Sequence, residues 1–164
     1  MNVLVGRHAI SAANDRNNIG TLLFGHPDAP LIELGCEQSY EMGNVFRTKY
    51  GIDLENTEVA VSAMRRSQDT ARAAGFIGLK PYDILNEVDT LLDYPILREW
   101  IDQKRHSDVA IKAAELILKN PPKESVWITH GLVIASLCEI LGIVNQFDDF
   151  VPKFCEIREL PIDR

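Results

Sequence analysis

Four places in the sequence set a polar or charged side chain at the end of an apolar run. Arg7 and His8 follow Val3-Leu4-Val5 and lead into Ala9, Ser11 and Asn14. Ser62 closes the alternating stretch 57–62 and is followed by Arg65 and Arg66. Glu87 stands at the end of a weaker run over 79–86, and His130-Gly131 follows Ser125-Val126-Trp127-Ile128-Thr129. In a parallel α/β sheet the carboxyl ends of the strands are where ligands bind, because the chain turns there and side chains converge on a crevice. If the four runs are neighbouring strands, one pocket holds two arginines, two histidines and a carboxylate. Guanidinium groups grip oxyanions in pairs of hydrogen bonds, a neutral imidazole is a nucleophile, and a carboxyl group moves protons. That set suits chemistry at a phosphate group.

The elements that must position these residues alternate along the chain. After the first strand, residues 11–30 carry Asn14, Asn17, Asn18, Gly20, Gly25, Pro27, Asp28 and Pro30, a turn-forming composition that predicts a long loop leaving the site. Glu33 to about Tyr50 reads as a helix on the spacing of Met42, Val45, Phe46 and Lys49, with Gly51 as its stop. A strand over 57–62 precedes a helix from Ala63 to about Ala74, capped by Ser62 and ended by Gly75. Arg65 and Arg66 in its first turn are unusual, because a helix N-terminus is already positive; a bound anion, also met by the free helix amides, would account for them. No assignment is made for 91–103. Ser107 caps a helix whose apolar stripe is Val109, Ala113, Leu116 and Ile117, ended by Pro121-Pro122. Leu132–Leu141 is apolar nearly all round and reads as a buried helix, and 154–160 as a last strand with Arg158 and Glu159 on an exposed edge. The expected fold is α/β: a three-layer α/β/α sandwich with a mostly parallel central sheet and helices on both faces. A single domain over 1–164 is expected, with a reduced lid at about 88–106.

Bulk properties narrow the partners. With 46% hydrophobic and 25% charged residues the chain has an ordinary globular composition. Its net charge of −7 opposes the phosphate attraction on which nucleic-acid binders rely, so no nucleic-acid partner is expected. Cys36, Cys138 and Cys155 are odd in number and widely spaced, which suggests neither a disulfide framework nor a zinc site. No run approaches the roughly 18 apolar residues of a membrane span and there is no basic leader, so the expectation is a cytoplasmic protein with no membrane partner. His26 and His106 lack partners at ligand spacing and read as surface residues.

The residues named so far resemble the histidine phosphatase superfamily, the phosphoglycerate-mutase-like proteins. The family's opening Arg-His-Gly, acid, Ser or Thr, two spacers and Asn stands here as Arg7-His8-Ala9-Ile10-Ser11-Ala12-Ala13-Asn14. Its Asp-x-Pro-Leu-x-x-x-Gly block is Asp28 to Gly35, and its Ser-x-Leu-x-Arg-Ala-x-Gln-Thr-Ala block is Ser62 to Ala71, which makes Arg66 and not Arg65 the functional arginine. Leu85-Asn86-Glu87 and Thr129-His130-Gly131 complete the series in the family's order. Ala9 and Ile10 depart from the pattern, Phe24 stands before Gly25 where a hydroxyl residue is common, and Glu87 lacks the Gly-rich, Trp-containing stretch that follows it in many phosphatase members.

The resemblance implies a phosphomonoester hydrolase that needs no metal and no other cofactor. His8 is then the nucleophile and becomes phosphohistidine. Arg7, Arg66 and His130 hold the phosphoryl oxygens, Asn14 and the Gly131 amide add neutral donors, and Ser11 and Ser62 support the site. Glu87 is the general acid and base, with Asp89 as its substitute. The substrate would be a phosphorylated small molecule or a phosphoprotein. Three alternatives stand beside this reading: a protein-phosphohistidine phosphatase, a phosphoglycerate-type mutase, and a silent phosphate-binding module. The short segment 88–106 leaves little room for the insertions that mutases of the family carry, which favours hydrolysis.

Overall fold

The apolar run at the N-terminus forms strand β1 (Val3–Arg7) in the computed structural model, which describes residues 2–87 and 108–164. The lid expected at 88–106, Asp89, His106 and the Ser107 cap lie outside the described residues. From β1 the chain passes through a long loop into helix α1 (Glu33–Tyr50), strand β2 (Val59–Ser62), helix α2 (Arg65–Ala74) and strand β3 (Leu79–Tyr82). It continues with helix α3 (Asp108–Lys119), strand β4 (Val126–Thr129), helix α4 (Gly131–Ile140) and strand β5 (Ile157–Leu160).

The strands form one five-stranded sheet in the order β3-β2-β4-β1-β5. The first four run parallel, and β5 pairs antiparallel to β1 at the edge. Alternation along the strands sends their side chains to two cores. Val59, Val61, Val126 and Ile128 meet Met42 and Phe46 of α1 and Ala71 and Ala74 of α2 on one face. Val3, Val5, Ala60 and Trp127 meet Ala114 and Ile117 of α3 and Val133, Ile134 and Leu137 of α4 on the other. This is the expected mostly parallel α/β/α sandwich. The helix that follows β1 lies on one face and the helix that follows β4 on the other, although β1 and β4 are neighbours. Connections therefore part to opposite faces between these two strands, which opens a crevice at their carboxyl ends.

Several element details differ from the sequence reading. Helix α1 buries Gly35, Ser39, Met42, Gly43 and Phe46, and leaves Val45 exposed. Small residues carry that stripe because the helix approaches closely: a Cβ on Gly43 would collide with the carbonyl oxygen of Ala74. In α3 the buried stripe is Ala110, Ala114 and Ile117, while Val109 and Leu116 face outward. Helix α2 begins at Arg65 with Met64 as its N-cap, so Ser62 belongs to the strand and does not cap it. The run 79–86 splits into β3 and a 3-10 turn at Asp83–Leu85. Gly51 and Gly75 do end α1 and α2, each in the left-handed conformation that a C-terminal cap needs.

The loop after β1 is closed on itself. Ala12 N–H donates to Pro30 O at 2.9 Å, Gly25 N–H to Ala13 O at 2.9 Å, and Asn18 Nδ2 to Ala12 O at 2.9 Å. Ala12, Ala13 and Ala29 bury a small apolar cluster of their own beneath it. Its ends meet where Ser11 bridges to Leu31, so the excursion returns beside the strand end it left.

Candidate active site

Register places the two histidines side by side. Arg7 of β1 pairs with Thr129 of β4, so His8 and His130 leave adjacent strands at the same level of the sheet. Their rings meet edge to face with centroids 5.0 Å apart, and both are buried. Main-chain pairing continues past the strands, since His8 N–H donates to Thr129 O at 2.9 Å. Thr129 in turn donates its hydroxyl to Leu85 O at 2.6 Å, which ties the β4 end to the segment carrying Glu87.

His8 is held in one tautomer. Its Nδ1 lies 2.7 Å from Ala9 O, a pure acceptor, so Nδ1 carries the proton and the lone pair sits on Nε2. Arg66 Nε lies 3.3 Å from that Nε2. Burial, with the Arg66 and Arg7 charges adding to it, pushes the His8 pKa well below the ordinary histidine value, so the ring is neutral at pH 7. His130 is pushed down the same way, first by burial and then by His8 and the two arginines. Its Nε2 is 2.8 Å from Ser62 Oγ, and its Nδ1 has no hydrogen-bond partner among the described residues.

Arg66 is buried at the first turn of α2, while Arg65 beside it is exposed and paired with Asp69 at 3.1 Å. One position along a helix rotates a side chain by about 100°, which separates a site arginine from a surface one. The α2 amides are mostly committed: Arg65 N–H donates to Pro27 O, and the Ser67 and Gln68 N–H groups to Met64 O. The expectation that free helix amides face an anion here is therefore corrected. Arg66 is itself braced, because Thr70 donates to Arg66 O at 2.7 Å and accepts from Ala9 N–H at 2.9 Å.

Arg7 donates Nη1–H to Pro152 O at 2.7 Å, and its Nε has no partner among the described residues. Burial lowers its pKa to about 10, opposed by the Glu87 carboxylate. Burial lowers Arg66 as well, and Glu87 again opposes it. Both guanidiniums thus lie within electrostatic range of Glu87. Gly131, the first residue of α4, packs against Arg7: a Cβ there would lie 3.0 Å from Arg7 Nε and 3.2 Å from Cζ. Its amide is among the helix N–H groups that have no intrahelical partner.

The structure thus gathers Arg7, His8, Ser62, Arg66, Glu87, His130 and Gly131. It does not draw Ser11 and Asn14 into the same hydrogen-bonded cluster. Asn14 Oδ1 accepts from Ser11 N–H at 3.2 Å and from Ser11 Oγ at 2.9 Å, so the pair shapes the start of the loop. Ser62 contributes as a relay: it bonds to Ser67 Oγ at 2.8 Å as well as to His130.

The connection 147–156 is a part of the site that the sequence reading passed over. Phe154 lies with its ring centroid 3.9 Å from Arg7 Cζ and 6.0 Å from the His8 ring. Arg158, expected on an exposed edge, is buried, and it bonds Asp149 O at 2.6 Å, Phe150 O at 3.3 Å and the Glu156 carboxylate at 2.6 Å. A run of Phe and Asp residues could have marked this loop as more than a linker, but nothing in its spacing points at Arg7. Cys155 in the same loop is inert, since burial pushes its thiol up to about 12. Among the described residues no three His, Cys, Asp or Glu side chains stand together as a metal-ligand group, and no helix is long and apolar enough to cross a membrane.

A family profile described as histidine phosphatase superfamily (branch 1) matches residues 3–91. No curated protein sequence matches significantly. Among solved structures, the protein TTHB049 from Thermus thermophilus superposes with a TM-score of 0.67 at 21% identity, over 98% of this chain and 94% of that one. The phosphoserine phosphatase of Entamoeba histolytica, in complex with 3-phosphoglyceric acid, gives 0.61 at 16% identity over 96% and 89%. The mycobacterial glucosyl-3-phosphoglycerate phosphatase Rv2419c, solved with VO3, gives 0.58 at 18% identity over 96% and 90%. At these identities the likeness establishes the fold.

Proposed function

The chain belongs to the histidine phosphatase superfamily, and we propose that it hydrolyses phosphomonoesters through a phosphohistidine on His8. The observation that carries this reading is the His8 tautomer. Nδ1–H is committed to Ala9 O, so Nε2 carries the lone pair of the neutral ring; without substrate it accepts from Arg66 Nε–H, a donor that the phosphoryl oxygens would draw away.

In the first step the Nε2 lone pair forms a bond to phosphorus while the phosphorus–ester oxygen bond breaks. The leaving oxygen takes a proton from Glu87. The Nδ1–H bond to Ala9 O strengthens as the ring becomes cationic. In the second step water attacks phosphorus and gives a proton to Glu87, and the phosphorus–nitrogen bond breaks to restore the lone pair on Nε2. Arg7 and Arg66 hold the equatorial oxygens, where charge gathers. His130, held through Nε2 by Ser62 Oγ, lines the same oxygens. The Gly131 amide adds a neutral donor, and Asn14, whose Oδ1 is held by Ser11, has its Nδ2–H left for the same role. No step requires a metal, because the two guanidiniums supply the positive charge. Two of the similar folds are named for phosphatases of small phosphorylated molecules, which favours a metabolite ester as substrate.

The test is phosphate release from an aryl phosphate and a panel of phosphometabolites, with EDTA present, by wild type and His8→Asn. Turnover in EDTA that falls at least about 10³-fold in the variant, with acid-labile phosphate trapped on the wild type during turnover, is the expected result. A folded wild type that binds phosphate but releases none from any ester would replace the hydrolase reading with a silent phosphate-binding module.

A further inference from the structure

The Arg7 guanidinium is held by one stretch near the C-terminus. Pro152 O accepts from Nη1 at 2.7 Å, and the Phe154 ring covers the guanidinium at 3.9 Å. The Arg7 main chain is pinned there as well: Cys155 N–H donates to Arg7 O at 3.1 Å, and Arg7 N–H to Glu156 O at 3.0 Å. Cys155 is the one non-glycine residue with a left-handed backbone among the described residues, φ 61°. A kink that no side chain favours, placed between the residue that covers Arg7 and the residue that pairs with its backbone, aims Phe154 inward. Arg158 anchors the same stretch from below through Asp149 O and Phe150 O.

The bonding pattern fixes which edge of Arg7 is left for substrate. Nη1 is taken by Pro152, and Nε is buried without a partner among the described residues. The Nε and Nη2 edge is therefore the one that remains, and it is the edge that grips two oxygens of an oxyanion at once. The Phe154 ring lies against the guanidinium, so it opposes rotation of that edge out of the site through its contact and its cation–π attraction.

We infer that Phe154 is a positioning residue for phosphoryl binding, acting through Arg7, and that the 147–156 connection is a working wall of the site. The inference rests on the phosphate-binding role of Arg7 in the reading above, but not on hydrolysis. Its test uses Phe154→Leu, which keeps an apolar filler and removes the ring face, Phe154→Tyr, which keeps the ring, and Phe154→Ala. Each is measured three ways: thermal midpoint, affinity for inorganic phosphate and vanadate, and kcat/KM on an aryl phosphate. Phe154→Leu is expected to lose about tenfold in anion affinity and in kcat/KM, the loss that a fraction of an ångström of misplacement brings, with its thermal midpoint near wild type. Phe154→Tyr is expected to stay within about threefold of wild type, since the ring still meets the cation. Phe154→Leu indistinguishable from wild type in anion affinity would overturn the inference, as would a Phe154→Tyr loss as large as that of Phe154→Leu. If the wild type binds phosphate but turns nothing over, the hydrolase reading fails alone and the affinity series still decides. A wild type that binds neither anion sinks both.

Discussion

Replacing Gly131 with alanine separates the stability of this fold from its chemistry. The added Cβ would stand 2.8 Å from Val151 Cγ1, 3.0 Å from Arg7 Nε and 3.2 Å from Arg7 Cζ. Non-bonded carbon atoms sit at roughly 3.5–4.0 Å, so the guanidinium has to retreat by about half an ångström. Arg7 has little freedom to do so, with Pro152 O on Nη1 and the Phe154 ring against Cζ. Two terms act on stability. Alanine is favoured over glycine in a helix by about 0.5–1 kcal/mol, less at a first-turn position, while overpacking costs about 1–3 kcal/mol. The net is a loss of roughly 0–2.5 kcal/mol, or a fall of up to about 10 °C in Tm at this chain length. The catalytic term is larger. A 1 Å misplacement costs about 10²-fold and removal of a preorganised donor about 10²–10³-fold, so half an ångström at Arg7 predicts about a tenfold loss in kcat/KM. The assay is steady-state hydrolysis of an aryl phosphate beside a thermal melt on the same preparation. A Gly131→Ala protein with wild-type kcat/KM would refute the reasoning, because Arg7 would then either move at no cost or not serve the reaction.

The two buried histidines make stability fall on the acid side of neutrality. Both have folded pKa values well below the unfolded value of about 6.5, so between those values the unfolded chain binds more protons and stability rises with pH. The contribution is full above about pH 6.5 and is lost progressively as pH falls, at up to about 2.7 kcal/mol per unit for two sites. Urea midpoints at pH 7.5, 6.5 and 5.5 read this directly; His8→Asn should roughly halve the slope, and an unchanged slope in that variant would remove His8 from the account. Arg158→Ala strips the partner from the Glu156 carboxylate and from two carbonyls, a loss of about 3–5 kcal/mol by analogy with broken buried ion pairs. That corresponds to roughly 6–20 °C in Tm, and a melt within about 2 °C of wild type would show that the loop does not depend on this anchor.

What the sequence could and could not disclose follows from the range of the interactions. Arg7, His8 and His130 are legible because each sits at the end of its own strand, and a parallel sheet brings strand ends together whatever the rest does; Arg66, in α2, is singled out from Arg65 by the family resemblance. Helix stripes were less legible. Periodicity reads hydrophobic side chains, but α1 and α3 bury small residues at their close contacts: Gly35, Ser39 and Gly43 in one, Ala110 and Ala114 in the other. A close approach is carried by absent atoms, and an absent atom gives no hydrophobic signal. Ser62 looked like a helix cap because capping is the local use of serine, whereas its partner here is His130, 68 residues away. Pro152 is 145 residues from Arg7, and no spacing rule reaches that far. Arg158 was misread for a related reason, since an arginine in an edge strand is ordinarily solvated and only the folded loop supplies its carbonyl partners.

The charges gathered at the strand ends also constrain how substrate binding and proton transfer are coupled. Arg7 and Arg66 are cationic, Glu87 acts on both electrostatically, and the two histidines are neutral. Without a ligand the carboxylate offsets one of two guanidiniums, so the free site favours ionised Glu87. A phosphomonoester dianion neutralises both guanidiniums by itself. On the proposed reading, Glu87, half-buried, then lies near added negative charge, which favours its protonated form. In the proposed mechanism, entry of the dianion would load the acid that the leaving oxygen needs. Departure of the alcohol with that proton would return the carboxylate that activates water. On that proposal one carboxyl group serves both halves of the reaction, and charge at Arg7 and Arg66 matters to proton transfer as much as to binding.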